Sequence, residues 1–184
     1  MTIAAAAVLV TLAALSPVRA ATLAGVDMPD QATVGGKNLA LNGLGLRTAT
    51  FLKVEVYVIG LYLERKSSDA KAIIESSESK RIQMHFVRDV PAKDLRDAWK
   101  DGFEKNYEDV ASIKGEIATF NASMRDVKTG DTIVLDFSGD TVDVVINGIE
   151  VDVVEGRPFQ QALLSNWLGP KPPNDDLKAG ILGR

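Results

Sequence analysis

Apolar and polar side chains alternate through Val54-Glu55-Val56-Tyr57-Val58, and a period of two leaves this segment only the β-strand as a regular structure. The strand belongs to residues 36–64, GKNLALNGLGLRTATFLKVEVYVIGLYLE, which read as two strands joined by a tight bend. Asn42, Gly43 and Gly45 in the first of them suit a bulge or a close backbone approach. The pair also carries Arg47 and Tyr57. A guanidinium cannot shed its charge, so on a shielded strand it must meet an anion or several acceptors. Tyrosine adds an apolar body and a hydroxyl that seeks a partner when buried. Together they would anchor a carboxylate or an enolate oxygen. The alternative is an Arg47 at the sheet rim, paired with Glu55 or Glu64.

The chain opens with an apolar run over residues 3–15, followed by Ser16-Pro17 and Val18-Arg19-Ala20. The run is too short for a stable bilayer span, and small residues at −3 and −1 place cleavage after Ala20. Residues 1–20 are therefore expected to be a secretory signal peptide and 21–184 one domain, periplasmic or secreted. No Lys or Arg precedes the run, which departs from the usual leader. Loss of Arg19 takes the formal charge from −4 to −5, so nothing resembles a basic footprint for nucleic acid. With no cysteine, an exported chain folds without disulfides, and thiolate catalysis or thiolate metal binding is excluded.

Residues 22–28 suit a short first strand ended by Pro29-Asp30, and 67–77 a surface helix capped by Ser67 or Ser68. Residues 81–88 alternate as a strand. Pro91 opens a helix in which Leu95, Trp99 and Phe103 form an aromatic stripe, core or cleft lining, and a further helix spans 109–124. Three strands follow at 132–137, 141–146 and 149–154, the last two joined by the hairpin signal Asn147-Gly148. A helix from Gly156-Arg157-Pro158 carries Phe159, Leu163 and Trp167 and is capped by Gly169, and 175–182 form a last short helix. Strands, helices, strands, helices describe an antiparallel α+β domain with helices gathered on one face.

The usual chemistries find no footing. His85 is the sole histidine, which leaves no pair for zinc and no G-x-S-x-G serine for a triad. Gly43-x-Gly45-x-x-Thr48 lacks the third glycine of a dinucleotide loop, and Gly35-Gly36-Lys37-Asn38 lacks the spacing and hydroxyl of a phosphate loop. No cofactor or metal is implied. What survives is a shielded cleft bearing Arg47, Tyr57, Trp99 and Phe103, suited to an apolar ligand with one acidic end.

The segments NGLGLR and VEVYVIGLYLE, with TGDTIVLDF, VINGIEV and FQQALLSNWLGPKPPNDDLKAGILG after them, resemble the chalcone isomerase-like superfamily, in particular its bacterial exported branch. The resemblance covers about residues 22–183 and implies an open-faced β-sandwich, a large antiparallel sheet covered by helices. In the plant enzymes an arginine clamps the substrate oxyanion and the developing enolate during cyclisation of a chalcone, and Arg47 matches it. The threonine of the next strand falls on Tyr57, the helix tyrosine and asparagine near Asp97 and Glu104, and the late Ser/Thr near Gln160. Carboxylates in place of the helix pair would repel a phenolate. Related noncatalytic members grip a fatty-acid carboxylate with an arginine and a tyrosine, a pattern that Arg47 and Tyr57 fit better. The resemblance thus implies a noncatalytic binder of a small amphipathic anion. The alternatives are an intramolecular lyase acting on a chalcone-like enone, with Arg47 catalytic, and a structural or partner-binding envelope protein.

Overall fold

The computed structural model describes residues 20–50 and 52–184, so the expected leader, apart from Ala20, lies outside the described residues. The two central strands are β4 (Lys37–Ala49) and β5 (Val54–Leu63). Before them come β1 (Ala20–Leu23), β2 (Val26–Pro29) and β3 (Gln31–Val34); after them come β6 (Lys80–Phe86), β7 (Thr132–Ser138), β8 (Thr141–Ile146) and β9 (Ile149–Glu155). Strands β3 to β9 form one seven-stranded antiparallel meander in sequence order. Among the described residues five helices accompany the sheet: α1 (Ala70–Glu75), α2 (Ala92–Asn106), α3 (Lys114–Ala122), α4 (Arg157–Leu168) and α5 (Asp175–Ile181). A 3-10 turn over Val110–Ile113 replaces the start of the helix expected from 109.

At two places the chain departs from the expected elements. The expected first strand is instead a hairpin, β1–β2, because Ala24 and Gly25 both adopt left-handed conformations and turn the chain (φ 47° and 76°). Helix α1 begins later than expected, capped by Asp69, whose Oδ1 accepts from the Ala72 backbone N–H at 3.1 Å. Strand β3 escaped the sequence reading. Gly35-Gly36, weighed there as a phosphate loop, is the two-residue turn that folds β3 onto β4.

A bulge sets which side of β4 faces which layer. Asn42 is the extra residue, with Leu41 opposite Tyr62 and Gly43 opposite Leu61. One inserted residue reverses the alternation. Leu39 and Leu41 before it and Leu44 and Leu46 after it therefore all pack on the β1–β2 side, with Val58 and Tyr62. Gly43, Gly45 and Arg47 turn to the opposite face, beside Ile59 and Tyr57 across the ladder. That face supplies the main core, where Ile59, Leu61, Met84, Leu135 and Val144 meet the helices.

Helix α4 is the element this core closes around. Every residue from Ala162 to Leu168 is buried, as are Phe159 and Gln160, and only an interior helix tolerates so little exposure. Fully burying one large apolar side chain contributes about 1.5–3 kcal/mol, and α4 buries Phe159, Leu163, Leu164, Trp167 and Leu168. Helix α5 reaches the sheet differently. A Cβ on Gly43 would lie 2.1 Å from the Gly180 carbonyl oxygen, and one on Gly45 2.6 Å from that of Leu177. The helix thus rests on the backbone of β4, with Leu177 and Ile181 filling the core beside it.

Candidate functional site

Arg47 and Tyr57 are direct cross-strand partners on the helix-covered face, so their side chains leave the sheet side by side. A second register shift follows immediately, with Thr48 opposite Glu55, and leaves Val56 as the unpaired residue of β5. All three residues line a cavity of about 530 Å³ between the sheet end, α2, α4 and the 169–174 connection. Its apolar walls come from Val56, Leu95, Ala98, Trp99 and Trp167. The volume falls in the range of small-molecule sites.

The arginine is held, yet not neutralised. Arg47 Nη1 donates to the Thr48 carbonyl and, at 3.3 Å, to Asn174 Oδ1. Among the described residues no carboxylate lies within ion-pair distance of it, so the rim pairing with Glu55 or Glu64 is not what the structure shows. Glu64 is instead engaged by the Ser79 backbone N–H at 2.7 Å. Asn174 precedes α5 at its N-cap but makes no capping bond. Its Oδ1 also accepts from the Thr48 N–H at 3.0 Å, and its Nδ2 donates to the Thr48 carbonyl and hydroxyl, both at 3.2 Å. A side chain that would ordinarily cap its own helix is turned across to β4. In sequence, Asn before Asp-Asp reads simply as a cap, which is why Asn174 went unnoticed.

Tyr57 is buried, and its hydroxyl accepts from Trp167 Nε1 at 3.0 Å. Indole is a donor only, so this bond occupies an oxygen lone pair and leaves the phenolic proton to be given elsewhere. Burial pushes the Tyr57 pKa up; the Trp167 hydrogen bond and the positive Arg47 oppose it without reversing it. At neutral pH Tyr57 is therefore a neutral donor next to a fixed cation. Such a pair has the chemistry to hold a carboxylate or, equally, an enolate oxygen.

The cavity mouth is mixed in charge but weighted positive. Arg88, Lys105 and Lys171 stand with Asp89, Asp94 and Asp101. Asp101 and Lys105 pair with each other at 2.6 Å and Asp89 pairs with Lys128 at 3.0 Å, which leaves Arg88 and Lys171 against Asp94. Asn106 fixes the connection after α4: its Oδ1 accepts from the Lys171 N–H at 2.8 Å and its Nδ2 donates to the Lys171 carbonyl at 3.0 Å.

Of the residues expected at the site, Arg47, Tyr57 and Trp99 come together on the cavity wall. Phe103 does not. It is fully buried against Phe159, ring centroids 5.9 Å apart, beneath the cavity rather than in it. The helix positions aligned on the family's tyrosine and asparagine are likewise elsewhere: Asp97 pairs with Lys93 at 2.5 Å on an exposed surface, and Glu104 with Lys100 at 3.8 Å. Gln160 is buried and donates to the Gly139 and Thr141 carbonyls at 3.2 and 2.7 Å. Asp97 and Glu104 thus stand outside the cavity lining, to which α2 contributes Leu95, Trp99 and Gly102 together with the acids Asp94 and Asp101. Asn166 and Gly102 are lining residues the sequence reading missed.

A smaller hollow of about 350 Å³ lies beside α1, but its Arg65 is already paired with Glu78. Among the described residues no cluster of His, Cys, Asp or Glu could hold a metal ion, and no helix is long and apolar enough to cross a membrane.

A seven-stranded antiparallel meander with helices packed on it is a chalcone isomerase-like fold. The family model described as chalcone isomerase-like matches residues 20–183, and the chain belongs to that family. Among solved structures it is similar to the crystal structure of a fatty-acid binding protein of Arabidopsis thaliana, with 14% identity, a TM-score of 0.73, and coverage of 89% of this chain and 96% of that one. No curated protein sequence matches.

Proposed function

We propose that this chain is an exported, noncatalytic member of its family that binds a small amphipathic anion such as a fatty acid. One observation carries the reading: Arg47, without a carboxylate partner among the described residues, stands directly across from a neutral Tyr57 on the wall of a largely apolar cavity. The Arabidopsis protein of similar fold is a fatty-acid binding protein. Export rests on the apolar leader and the small residues before Ala21.

Native mass spectrometry of protein recovered from the periplasm tests both parts. The expected result is a chain beginning at Ala21 that carries a lipid-sized anion. Charge-assisted hydrogen bonds contribute roughly 1.5–3 kcal/mol each, so Arg47→Ala is expected to weaken binding of hexadecanoate about 10- to 100-fold in calorimetric titration. Bare protein together with unaltered titrations in Arg47→Ala would overturn the reading. Because the same two donors would hold an enolate, an assay for loss of chalcone absorbance decides against the lyase alternative if wild type and Arg47→Ala show the same background rate.

A further inference from the structure

Asn166 is 4% exposed and Trp99 5% exposed, and both line the cavity. Neither amide atom of Asn166 has a hydrogen-bond partner among the described residues, nor does Trp99 Nε1. Buried polar groups are almost always paired; among the described residues Asn121 Oδ1 in α3 shares this state away from the cavity lining, while three other amides are engaged. The Asn42 amide donates to the Ser67 and Ile181 carbonyls and accepts from the Ser67 N–H; Asn106 and Asn174 are bonded through both ends of their amides. Trp167, edge-on to Trp99 at 5.4 Å, has Tyr57 as its acceptor. Helix α2 makes room for the exception. A Cβ on Gly102 would lie 2.7 Å from Asn166 Oδ1, so only glycine lets the amide sit at the seam between α2 and α4.

Resting on the anion-binding reading above, we propose that the ligand carries a second oxygen, a hydroxyl remote from its carboxylate, received at this seam as the Asn166 amide and the Trp99 indole turn out from beneath the cavity wall. The preference for a hydroxyl follows from the groups offered. A hydroxyl accepts from the indole N–H or the amide NH₂ and donates to the amide oxygen, whereas a carbonyl can only accept. A plain hydrocarbon tail would leave every one of these atoms unpaired, and sites built for a hydroxyl discriminate against analogues that lack it. The class of ligand is thus a hydroxylated amphipathic acid, its carboxylate at Arg47 and Tyr57.

Calorimetric titration of the intact protein tests this with hexadecanoate and three monohydroxyhexadecanoates, substituted near the carboxylate, mid-chain and at the far end. At least one hydroxylated isomer is expected to bind about tenfold tighter than hexadecanoate. Asn166→Leu and Trp99→Phe should each bring that ratio toward one, and Trp99→Phe, which removes only the N–H and a ring, carries the test if Asn166→Leu does not fold. Arg47→Ala should weaken all four acids alike. Equal binding of all four acids by the wild type, as when a water satisfies the seam, overturns the hydroxyl proposal and leaves the anion reading standing. A ratio unchanged in both variants overturns it too. Failure of all four acids to bind overturns both.

Discussion

Trp167 offers one N–H and has one acceptor in reach, so the fate of that proton depends on a single oxygen atom. Tyr57→Phe keeps the ring, including its edge contact with Phe86 at 5.5 Å, and removes the acceptor. A buried donor left unpaired costs about 1–3 kcal/mol, and this is the expected loss of unfolding free energy in urea. Adding Trp167→Phe removes the stranded donor, so the double variant should lose less than the two singles combined. Arg47 and Tyr57 were legible in the sequence because alternation along two paired strands decides which side chains share a face. Their supports were not. Asn174, Asn106 and Asn166 act across elements, and nothing in their immediate neighbours shows what they reach. Phe103 misled for a geometric reason: four-residue steps advance about 40° each around a helix, so the stripe from Leu95 has turned well away by Phe103, while Gly102, seven residues on, returns to within about 20° of it.

Helix α5 and strand β4 touch backbone to backbone, and that contact is what brings Asn174 to Thr48. A Cβ on Gly180 would lie 2.2 Å from the Leu44 carbonyl oxygen, and neither side of the clash is a side chain free to move. Gly180→Ala is therefore expected to destabilise by about 1–3 kcal/mol despite the better helix propensity of alanine. Gly115 in α3 has nothing within 4 Å, so Gly115→Ala should stabilise by about 0.5–1 kcal/mol. Opposite shifts in the denaturant midpoint check the pair, and equal shifts would refute the close-approach argument. The glycines of β4 announced a close approach in the sequence, although their partner in α5 could not be read there. Hairpins β7–β8 and β8–β9 were legible from their turn residues and α2 from its stripe. The β1–β2 turn was not, because Ala24 is a residue that ordinarily avoids the left-handed region.

The molecule as a whole should show an alkaline stability profile with a rise and then a fall. Lys80 is buried, and burial, helped by the positive Arg157 and opposed by Glu78 and Glu64, lowers its pKa from 10.5 to about 8. Between those values the unfolded chain keeps a proton that the folded chain has released, so this group makes stability climb as pH rises from about 8 to 10.5. Tyr62 runs the other way. Burial pushes its pKa from 10.0 to about 12, opposed by Arg81 and aided by Asp30. Its contribution is complete below pH 10 and disappears as pH approaches 12. Chemical denaturation at pH 7.5, 10 and 12 should trace the rise and fall, and Lys80→Met should flatten the first limb only. Asn174, finally, ties the beginning of the last helix to Arg47 and Thr48. The last helix thus braces one wall of the cavity, and displacing it would free the Arg47 guanidinium from Asn174.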